Sequence, residues 1–304
     1  MNKSLNLEIA GLKLQNPAML ASGVLGLSAA PLERIVESGA SAIITKSIGL
    51  NPRIGNTNPT VVQTECGLIN AMGLPNPGID VFISEIYEMK KLEVPIIVSV
   101  YGFSPTEFAE TAVKAVKAGA DAIELNLSCP HVEKTGAEIG YNPKLAAKIV
   151  QKVKEDVETP VFVKLTPNTA DIAELAVAVE KAGADAITAI NTVRAMAIDV
   201  ETAKPILSNR FGGLSGPAIK PIAVRCVYEI YQKVRIPIIG CGGITNWRDA
   251  VEFILAGASA VQIGTAIAFK GIQVFTQIVE GIKEYLEKKR FRSVIQIVGM
   301  AHKN

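Results

Sequence analysis

Residues 118–127 read AGADAIELNL, and this pattern decides the fold because it recurs three more times along the chain. The other copies are SGASAIITKS at 38–47, AGADAITAIN at 182–191 and AGASAVQIGT at 256–265. In each copy we interpret the glycine as the left-handed residue that ends a helix, and the apolar residues after it as a short strand. The recurrence therefore predicts a repeating unit in which a helix leads into a strand.

A second group of segments places proline directly before an apolar run. These runs are PIIVSV at 95–100, PVFVKL at 160–165 and PIIGC at 237–241. Proline is tolerated as the first residue of a strand because no interior ladder bond is lost there. With AMLAS at 18–22, the two groups predict strands over residues 18–22, 41–46, 95–100, 121–127, 160–165, 185–191, 237–241 and 259–263. Helical patterns follow them at 31–38, 77–91, 105–118, 143–156, 170–182, 217–234, 246–256 and 271–289.

Eight parallel strands, each followed by a helix, are typical of an α/β fold that closes into a (β/α)8 TIM barrel. A doubly wound open sheet is the competing interpretation, but no Gly-x-Gly-x-x-Gly sequence follows the first strand. We therefore expect a single barrel domain over residues 1–304. The alternation of Leu5, Leu7 and Ile9 predicts a short N-terminal β-hairpin that closes the bottom of the barrel.

Composition and charge narrow the class of protein. Hydrophobic residues make up 49% of the chain, and the net charge of +2 gives no reason to expect a nucleic-acid partner. Residues 1–9 lack the long apolar stretch of a secretory signal, and no apolar run approaches the roughly 18 residues that span a bilayer. We expect a soluble, cytoplasmic protein without a membrane partner. The four cysteines form no Cys-x-x-Cys pair, so no metal or iron–sulfur site is indicated in this chain.

Two connections that follow predicted strands are much longer than the others, at about residues 47–76 and 192–216. Long loops without regular structure are usually functional in a compact domain. Because both follow a strand, they lie on the face of the barrel where such enzymes place their active sites.

Polar residues occupy the carboxyl ends of the predicted strands. They are Ser22, Lys46, Ser47, Ser99, Asn126, Lys164, Asn191, Thr192, Gly242, Gly243, Gly264 and Thr265. The glycines allow two interpretations of similar weight, tight turns or a phosphate cradle assisted by the helix that begins near Asn246. Buried Lys46 and Lys164 need an anion nearby. An ion pair with Glu124 or Asp185 would satisfy them, but no strand-end residue is acidic, so a net positive site that binds an anionic ligand is favoured.

Cys129 lies just past the fourth strand, close to Asn126. A lone cysteine is more often a small buried hydrophobe than a catalyst, but this position makes a catalytic role more plausible than it is for the other cysteines. We interpret Cys66, Cys226 and Cys241 as packing residues.

Three longer motifs resemble the dihydroorotate dehydrogenases, and the resemblance covers nearly the whole chain. The motifs are NLSCPH at 126–131, NAMGLPNPG at 70–78 and GLSGPAIKP at 213–221. With Cys129 at this position, the chain resembles the soluble class, because the membrane-associated class has serine there. The Gly-Leu-Ser-Gly-Pro sequence is similar to the NAD-linked, two-subunit branch rather than to the fumarate-linked homodimers.

The resemblance implies oxidation of dihydroorotate to orotate in pyrimidine biosynthesis, with one bound FMN that accepts a hydride and with Cys129 as the base. By motif, the FMN contacts would be Ser22, Lys46, Ser47, Ser99, Asn126, Lys164, Ile190, Gly216, Gly242, Gly243, Gly264 and Thr265. The substrate contacts would be Lys46, Asn70, Ala71, Met72, Gly73, Leu74, Asn126, Asn191 and Thr192. The sequence departs from the family at Ser99, where relatives often have asparagine.

The resemblance also implies a partner subunit that carries FAD and an iron–sulfur cluster and passes electrons to NAD. The expected assembly is a homodimer of this chain within a heterotetramer. Three alternatives remain open. One is a reductase similar to dihydropyrimidine dehydrogenase, which shares the NLSCPH sequence but usually carries ferredoxin-type cysteine clusters. The others are a fumarate-linked homodimer and a barrel without catalysis that serves as an assembly scaffold.

Overall fold

A computed structural model describes residues 4–127 and 139–303. Within these ranges the strands are, in chain order, β1 (Leu7–Ile9), β2 (Leu12–Leu14), β3 (Ala18–Leu20), β4 (Ile43–Ile44), β5 (Val61–Thr64), β6 (Gly67–Asn70), β7 (Ile96–Val100), β8 (Ala122–Asn126), β9 (Val161–Leu165), β10 (Ala186–Ala189), β11 (Val193–Met196), β12 (Ile198–Asp199), β13 (Lys204–Pro205), β14 (Phe211–Ser215), β15 (Ile238–Cys241) and β16 (Ala260–Ile263). The helices of the same ranges are α1 (Leu32–Glu37), α2 (Ile79–Met89), α3 (Pro105–Lys117), α4 (Pro143–Asp156), α5 (Ile172–Lys181), α6 (Lys220–Tyr231), α7 (Trp247–Ala256), α8 (Ala266–Lys270) and α9 (Val274–Lys288). None of them is long and apolar enough to cross a membrane.

The predicted (β/α)8 barrel is confirmed. Eight parallel strands close on themselves in the order β3, β4, β7, β8, β9, β10, β15 and β16. Each corresponds to a predicted strand and begins and ends within a few residues of the predicted bounds. All five residues of β7 and of β9 are buried, because helices cover the outside of the barrel while side chains fill its interior.

The repeated glycines end helices as predicted. Their φ angles are all positive, at 107° for Gly39, 100° for Gly119, 100° for Gly183 and 125° for Gly257. A residue in this conformation stops the helix and turns the chain towards the next strand. In two of the repeats the following aspartate ties neighbouring strands together. Asp121 Oδ2, for example, accepts the N–H of Ile96 at 2.8 Å.

The predicted N-terminal hairpin is also confirmed, with β1 and β2 antiparallel and Leu7 paired with Leu14. Ile9 and Leu14 are buried and join the hydrophobic core. The hairpin leads directly into β3, the first strand of the barrel.

The two long connections are not structureless, and in this respect the sequence-based interpretation is wrong. The first contributes β5 and β6, the second contributes β11 and β14, and together they form an antiparallel sheet in the order β11-β14-β6-β5. The joint between the two connections pairs Asn70 with Gly213, and Asn70 Nδ2 donates to the Gly213 carbonyl at 3.3 Å. This second sheet, which we call the mouth sheet, forms part of the cavity wall described next.

Candidate active site

A cavity of about 910 Å³ lies where the barrel strands end, between those ends and the mouth sheet. It brings together nearly all the described residues that the sequence predicted for the site. They are Ser22, Lys46, Ser47, Asn70, Ala71, Met72, Gly73, Leu74, Asn126, Lys164, Ile190, Asn191, Thr192, Gly216, Gly242, Gly243, Gly264 and Thr265. Ser99 is the exception, because it is fully buried behind the wall. Cys129 lies outside the described residues.

A chain of hydrogen bonds fixes the polar groups of one wall. The hydroxyl oxygens of Ser47 and Ser99 are 2.9 Å apart, and Ser47 Oγ also accepts from Asn126 Nδ2 at 2.9 Å. Asn191 Nδ2 donates to Asn126 Oδ1 at 3.2 Å, and Ser22 Oγ is 3.4 Å from Ser47 Oγ. Ser99 therefore supports the wall through Ser47, and the two asparagine amides are held in fixed orientations for a ligand.

The cavity is positively charged. Lys46, Arg53, Lys164 and Arg194 line it, and none of its described lining residues is acidic. Burial lowers the pKa of Lys46, because the ammonium loses hydration there. The expectation that the site attracts an anion is thus supported by a larger set of cations than the sequence suggested.

Arg53 and Arg194 were missed because they belong to the long connections. Their guanidinium groups lie against aromatic rings, with Arg53 5.5 Å from the centre of Phe103 and Arg194 4.8 Å from the centre of Phe211. Such stacking holds an arginine in place while its charge stays available.

Lys164 has an acidic neighbour that the strand-end residues did not reveal. Its Nζ lies 3.8 Å from Oε1 of Glu124, whereas the other carboxylate considered, Asp185, pairs with Lys154 at 2.9 Å. Burial alone would lower the pKa of Lys164, but Cys241 and Glu124 reverse that effect and the pKa is raised. Its neighbours therefore favour the charged ammonium of Lys164 in spite of its burial.

The three cysteines within the described residues differ in their surroundings. Cys226 is buried in α6, as a packing residue should be. Cys66 is exposed in the turn between β5 and β6, so its interpretation as a packing residue is wrong. Cys241 lines the cavity beside Lys164, and burial raises the pKa of its thiol. It is therefore neutral near pH 7, and packing does not describe its place.

The glycines after β15 and β16 let the backbone itself form the cavity wall. Gly242 and Gly243 have φ angles of 129° and 76°. A Cβ on Gly242 would lie 2.9 Å from Cβ of Ala223, and one on Gly264 would lie 3.2 Å from Cβ of Ala21. A side chain at Gly242 would both strain the turn and clash with Ala223, and one at Gly264 would crowd Ala21.

The helix expected to assist this cradle is capped by its own residues. Asn246 Oδ1 accepts the N–H groups of Arg248 and Asp249, at 2.8 and 3.3 Å. Asp249 Oδ2 accepts the N–H of Thr245 at 2.9 Å. These three N–H groups are therefore already hydrogen-bonded within the protein, and the contribution of α7 to anion binding stays a prediction.

Asn168 is a further site residue that the sequence analysis missed. Its Nδ2 donates to the Thr192 carbonyl at 3.0 Å, and its Oδ1 accepts the N–H of Arg194 at 2.8 Å. It thereby fixes the chain at the point where the second long connection leaves the barrel. The available signal was its position shortly after β9, in the sequence TPNT.

The fold and the cavity define the class as a (β/α)8-barrel protein with a cation-lined, glycine-walled site at the carboxyl ends of its strands. The sequence model of the family described as dihydroorotate dehydrogenase matches residues 4–286. The chain therefore belongs to the dihydroorotate dehydrogenase family, whose members are oxidoreductases.

Individual relatives are similar over almost their full length. The chain is 54% identical to a Pyrococcus furiosus protein over 99% of both chains. It is 49% identical to a Methanosarcina acetivorans protein over 97% of this chain and 95% of that one. Both relatives are named dihydroorotate dehydrogenase B (NAD(+)), catalytic subunit.

Proposed function

We propose that this chain oxidises dihydroorotate to orotate, as the catalytic subunit of an NAD-linked dihydroorotate dehydrogenase. The observation that carries the proposal is the cavity that combines four cationic side chains with fixed asparagine amides and has no acidic residue among its described lining. Dihydroorotate has a carboxylate, which a cation binds, and a ring with amide donors and acceptors, which asparagine matches. The names of the relatives agree with this substrate.

The described residues fit FMN as the cofactor. The backbone at Gly216, Gly242, Gly243, Gly264 and Thr265 lines the cavity, and its N–H groups can cradle a phosphate. Ser22, Lys46, Ser47, Asn126, Lys164 and Ile190 would hold the rest of the group, with Ser99 in support. When bound, FMN supplies an acceptor for the hydride from the substrate.

The chain's own residues would orient the substrate and move its proton. Lys46 binds the carboxylate, and Asn126 and Asn191 bind the ring amides in the plane that their mutual hydrogen bond sets. Asn70, Ala71, Met72, Gly73, Leu74 and Thr192 would complete the substrate contacts. Cys129, as a thiolate, would take the proton from carbon 5. This role rests on the NLSCPH motif, and the described residues on either side, Asn126 and Gly140, line the cavity.

Electrons then leave for NAD through a partner. We propose a second subunit with FAD and an iron–sulfur cluster, bound to a homodimer of this chain in a heterotetramer. The words "catalytic subunit" in the names of the relatives support a partner of this kind.

The test is to purify the chain, measure bound flavin by absorbance, and mix it anaerobically with dihydroorotate or with dihydrouracil. We expect FMN to be present and to be reduced by dihydroorotate alone, because dihydrouracil lacks the carboxylate. Reduction by dihydrouracil instead would support the dihydropyrimidine dehydrogenase-like alternative. A colourless protein that takes up no FMN would contradict the site and favour a scaffold.

A further inference from the structure

A polar layer is buried inside the barrel at the floor of the cavity, which Gln262 lines. It consists of Glu124 on β8, Thr188 on β10 and Gln262 on β16, all at most 1% exposed. These are the fourth, sixth and eighth strands of the barrel, and alternate strands supply the side chains of one interior layer. Burying polar side chains in a barrel interior costs free energy unless they are hydrogen-bonded, so the presence of these three needs an explanation.

Gln262 connects Glu124 to Lys164. Its Nε2 donates to Glu124 Oε2 at 2.7 Å, while its Oε1 accepts from Lys164 Nζ at 2.9 Å. Thr188 Oγ1 donates to the same carboxylate oxygen at 2.9 Å. An amide suits this bridge because it has a donor at one end and an acceptor at the other.

The second carboxylate oxygen of Glu124 is paired with a cation and accepts no hydrogen bond from the described residues. Glu124 Oε1 has no hydrogen-bond partner in the described part of the chain, and it lies 3.8 Å from Lys164 Nζ. A buried carboxylate is costly unless a cation balances it. The carboxylate and the ammonium are therefore a coupled pair, with the ammonium at the cavity and the carboxylate beneath it.

The other titratable groups near Lys164 do not take the place of Glu124. Cys241 is a neutral thiol near pH 7, since burial raises its pKa. Lys46 also lines the cavity and has the same sign of charge as Lys164. Glu124 is thus the carboxylate paired with Lys164, directly at 3.8 Å and through the Gln262 bridge.

We propose that Glu124 is a positioning residue that, through Gln262, keeps the Lys164 ammonium charged and aimed into the cavity, where it stabilises the negative charge that FMN gains on reduction. The inference deepens the proposed function and rests on it. A fixed cation is more effective than a mobile one because it needs no reorganisation when the charge develops.

The first experiment uses the FMN-loaded chain and compares Glu124→Gln with Thr188→Val. The midpoint potential of bound FMN is measured by spectroelectrochemistry from pH 6 to 10. In Glu124→Gln, Lys164 should lose its proton at a pH at least about one unit lower than in the unchanged chain. The midpoint potential of bound FMN should therefore begin to fall at a lower pH. Thr188→Val removes a hydrogen bond from the same carboxylate but no charge, and should follow the unchanged protein. Identical profiles for Glu124→Gln and the unchanged chain would overturn the proposal.

The second experiment uses flavin-free chain and a double-mutant cycle of Glu124→Gln and Lys164→Met, read by urea denaturation. The double variant should lose less stability than the sum of the single variants, because each single variant strands a buried partner. Additive losses would overturn the pairing. Should Glu124→Gln fail to fold, Gln262→Met removes both bridging hydrogen bonds and should shift the pH profile in the same direction.

Together the two experiments distinguish failure of this inference from failure of the proposed function. Coupling between Glu124 and Lys164 in a chain that takes up no FMN would defeat the proposed function and leave the pair standing. A chain that binds FMN and is reduced by dihydroorotate, but shows neither coupling nor a shifted profile, would defeat this inference alone.

Discussion

The carbonyl oxygen of Gly216 lies 2.8 Å from the position that a Cβ on Gly243 would occupy. The loop after the mouth sheet and the loop after β15 therefore meet backbone to backbone, at the proposed phosphate cradle. Gly243→Ala must push these loops apart, and we expect it to weaken FMN binding by at least about tenfold, the equivalent of 1.4 kcal/mol. A fluorescence titration of flavin-free protein with FMN measures this.

Gly271→Ala is the matched control for that variant. Gly271 has a φ of 69°, close to the 76° of Gly243, but its added Cβ would meet nothing within 4 Å. Each variant should lose about 1 to 3 kcal/mol of stability from its positive-φ backbone conformation, which at Gly271 has a ψ of −176°. Equal FMN affinity in the two variants would show that crowding at Gly243 does not disturb the cradle.

Binding of the product orotate should weaken at high pH because of Lys46. Burial lowers the pKa of Lys46 in the free protein, and a bound carboxylate favours the charged ammonium and so raises that pKa. Affinity is then greatest below the pKa of the free protein and falls as the pH rises through it. Calorimetric titration from pH 6 to 10 should show the fall, and Lys46→Arg, charged throughout, should remove it. A fall that persists in Lys46→Arg would belong to another group.

Cys129→Ser should slow the reduction of FMN by dihydroorotate by about 10² to 10⁴, the usual contribution of a general base. The residual rate should rise with pH, because a serine hydroxyl is a much weaker acid than a thiol with a pKa near 8.5. Stopped-flow absorbance at several pH values measures both effects. Cys66→Ser, at an exposed turn outside the cavity lining, is the control and should react normally. A near-normal rate in Cys129→Ser at neutral pH would exclude Cys129 as the base.

The single chain should pass electrons from dihydroorotate to artificial dyes but reduce NAD slowly or not at all. The reason is that the proposed route to NAD runs through the FAD and iron–sulfur cluster of the partner subunit. Steady-state assays with and without that subunit test this. Rapid NAD reduction by the chain alone would contradict it, and rapid fumarate reduction would place the protein with the homodimeric branch.

Asp249 should stabilise the fold in a pH-dependent way. Burial would raise its pKa, but hydrogen bonds from Thr245 and Lys220 outweigh burial, and the pKa is lowered. Its contribution is complete above the unfolded-state pKa of about 3.9 and is lost as the pH falls through the lower folded-state pKa. The difference in unfolding free energy between the unchanged chain and Asp249→Asn should therefore shrink below about pH 4.

Glu252→Gln is the control for that measurement, because Glu252 contacts the same Lys220 ammonium at 2.6 Å but is half-exposed. Solvent screening should make its effect small at every pH. A difference for Asp249→Asn that grows towards low pH would have the wrong sign and would contradict the assignment.

The barrel could be predicted because its signals are local. A glycine that ends a helix and a proline that begins a strand are each legible within ten residues of sequence. The mouth sheet could not be predicted in this way, since the contact between Asn70 and Gly213 joins positions 143 residues apart. Regular pairing over that distance leaves no periodic mark in either connection.

The same distinction applies to the site. Lys46, Lys164 and the paired glycines were found because strand ends converge at one face of a barrel. Arg53 and Arg194 were missed because they lie within the connections, away from the strand ends that were searched. Glu124 was considered only as a generic ion-pair partner, although a carboxylate in the middle of the apolar segment AIELN was itself a signal of a buried polar contact.

The mouth sheet also sets an order of events during synthesis. β6 leaves the ribosome early, but its partner β14 ends only at residue 215. Until then one edge of β6 is an unpaired strand edge, the kind of surface on which nascent chains aggregate. The wall of the cavity is complete only when β15, β16 and the lining residues up to Ala268 have also been made, so cofactor capture belongs to the last stage of maturation.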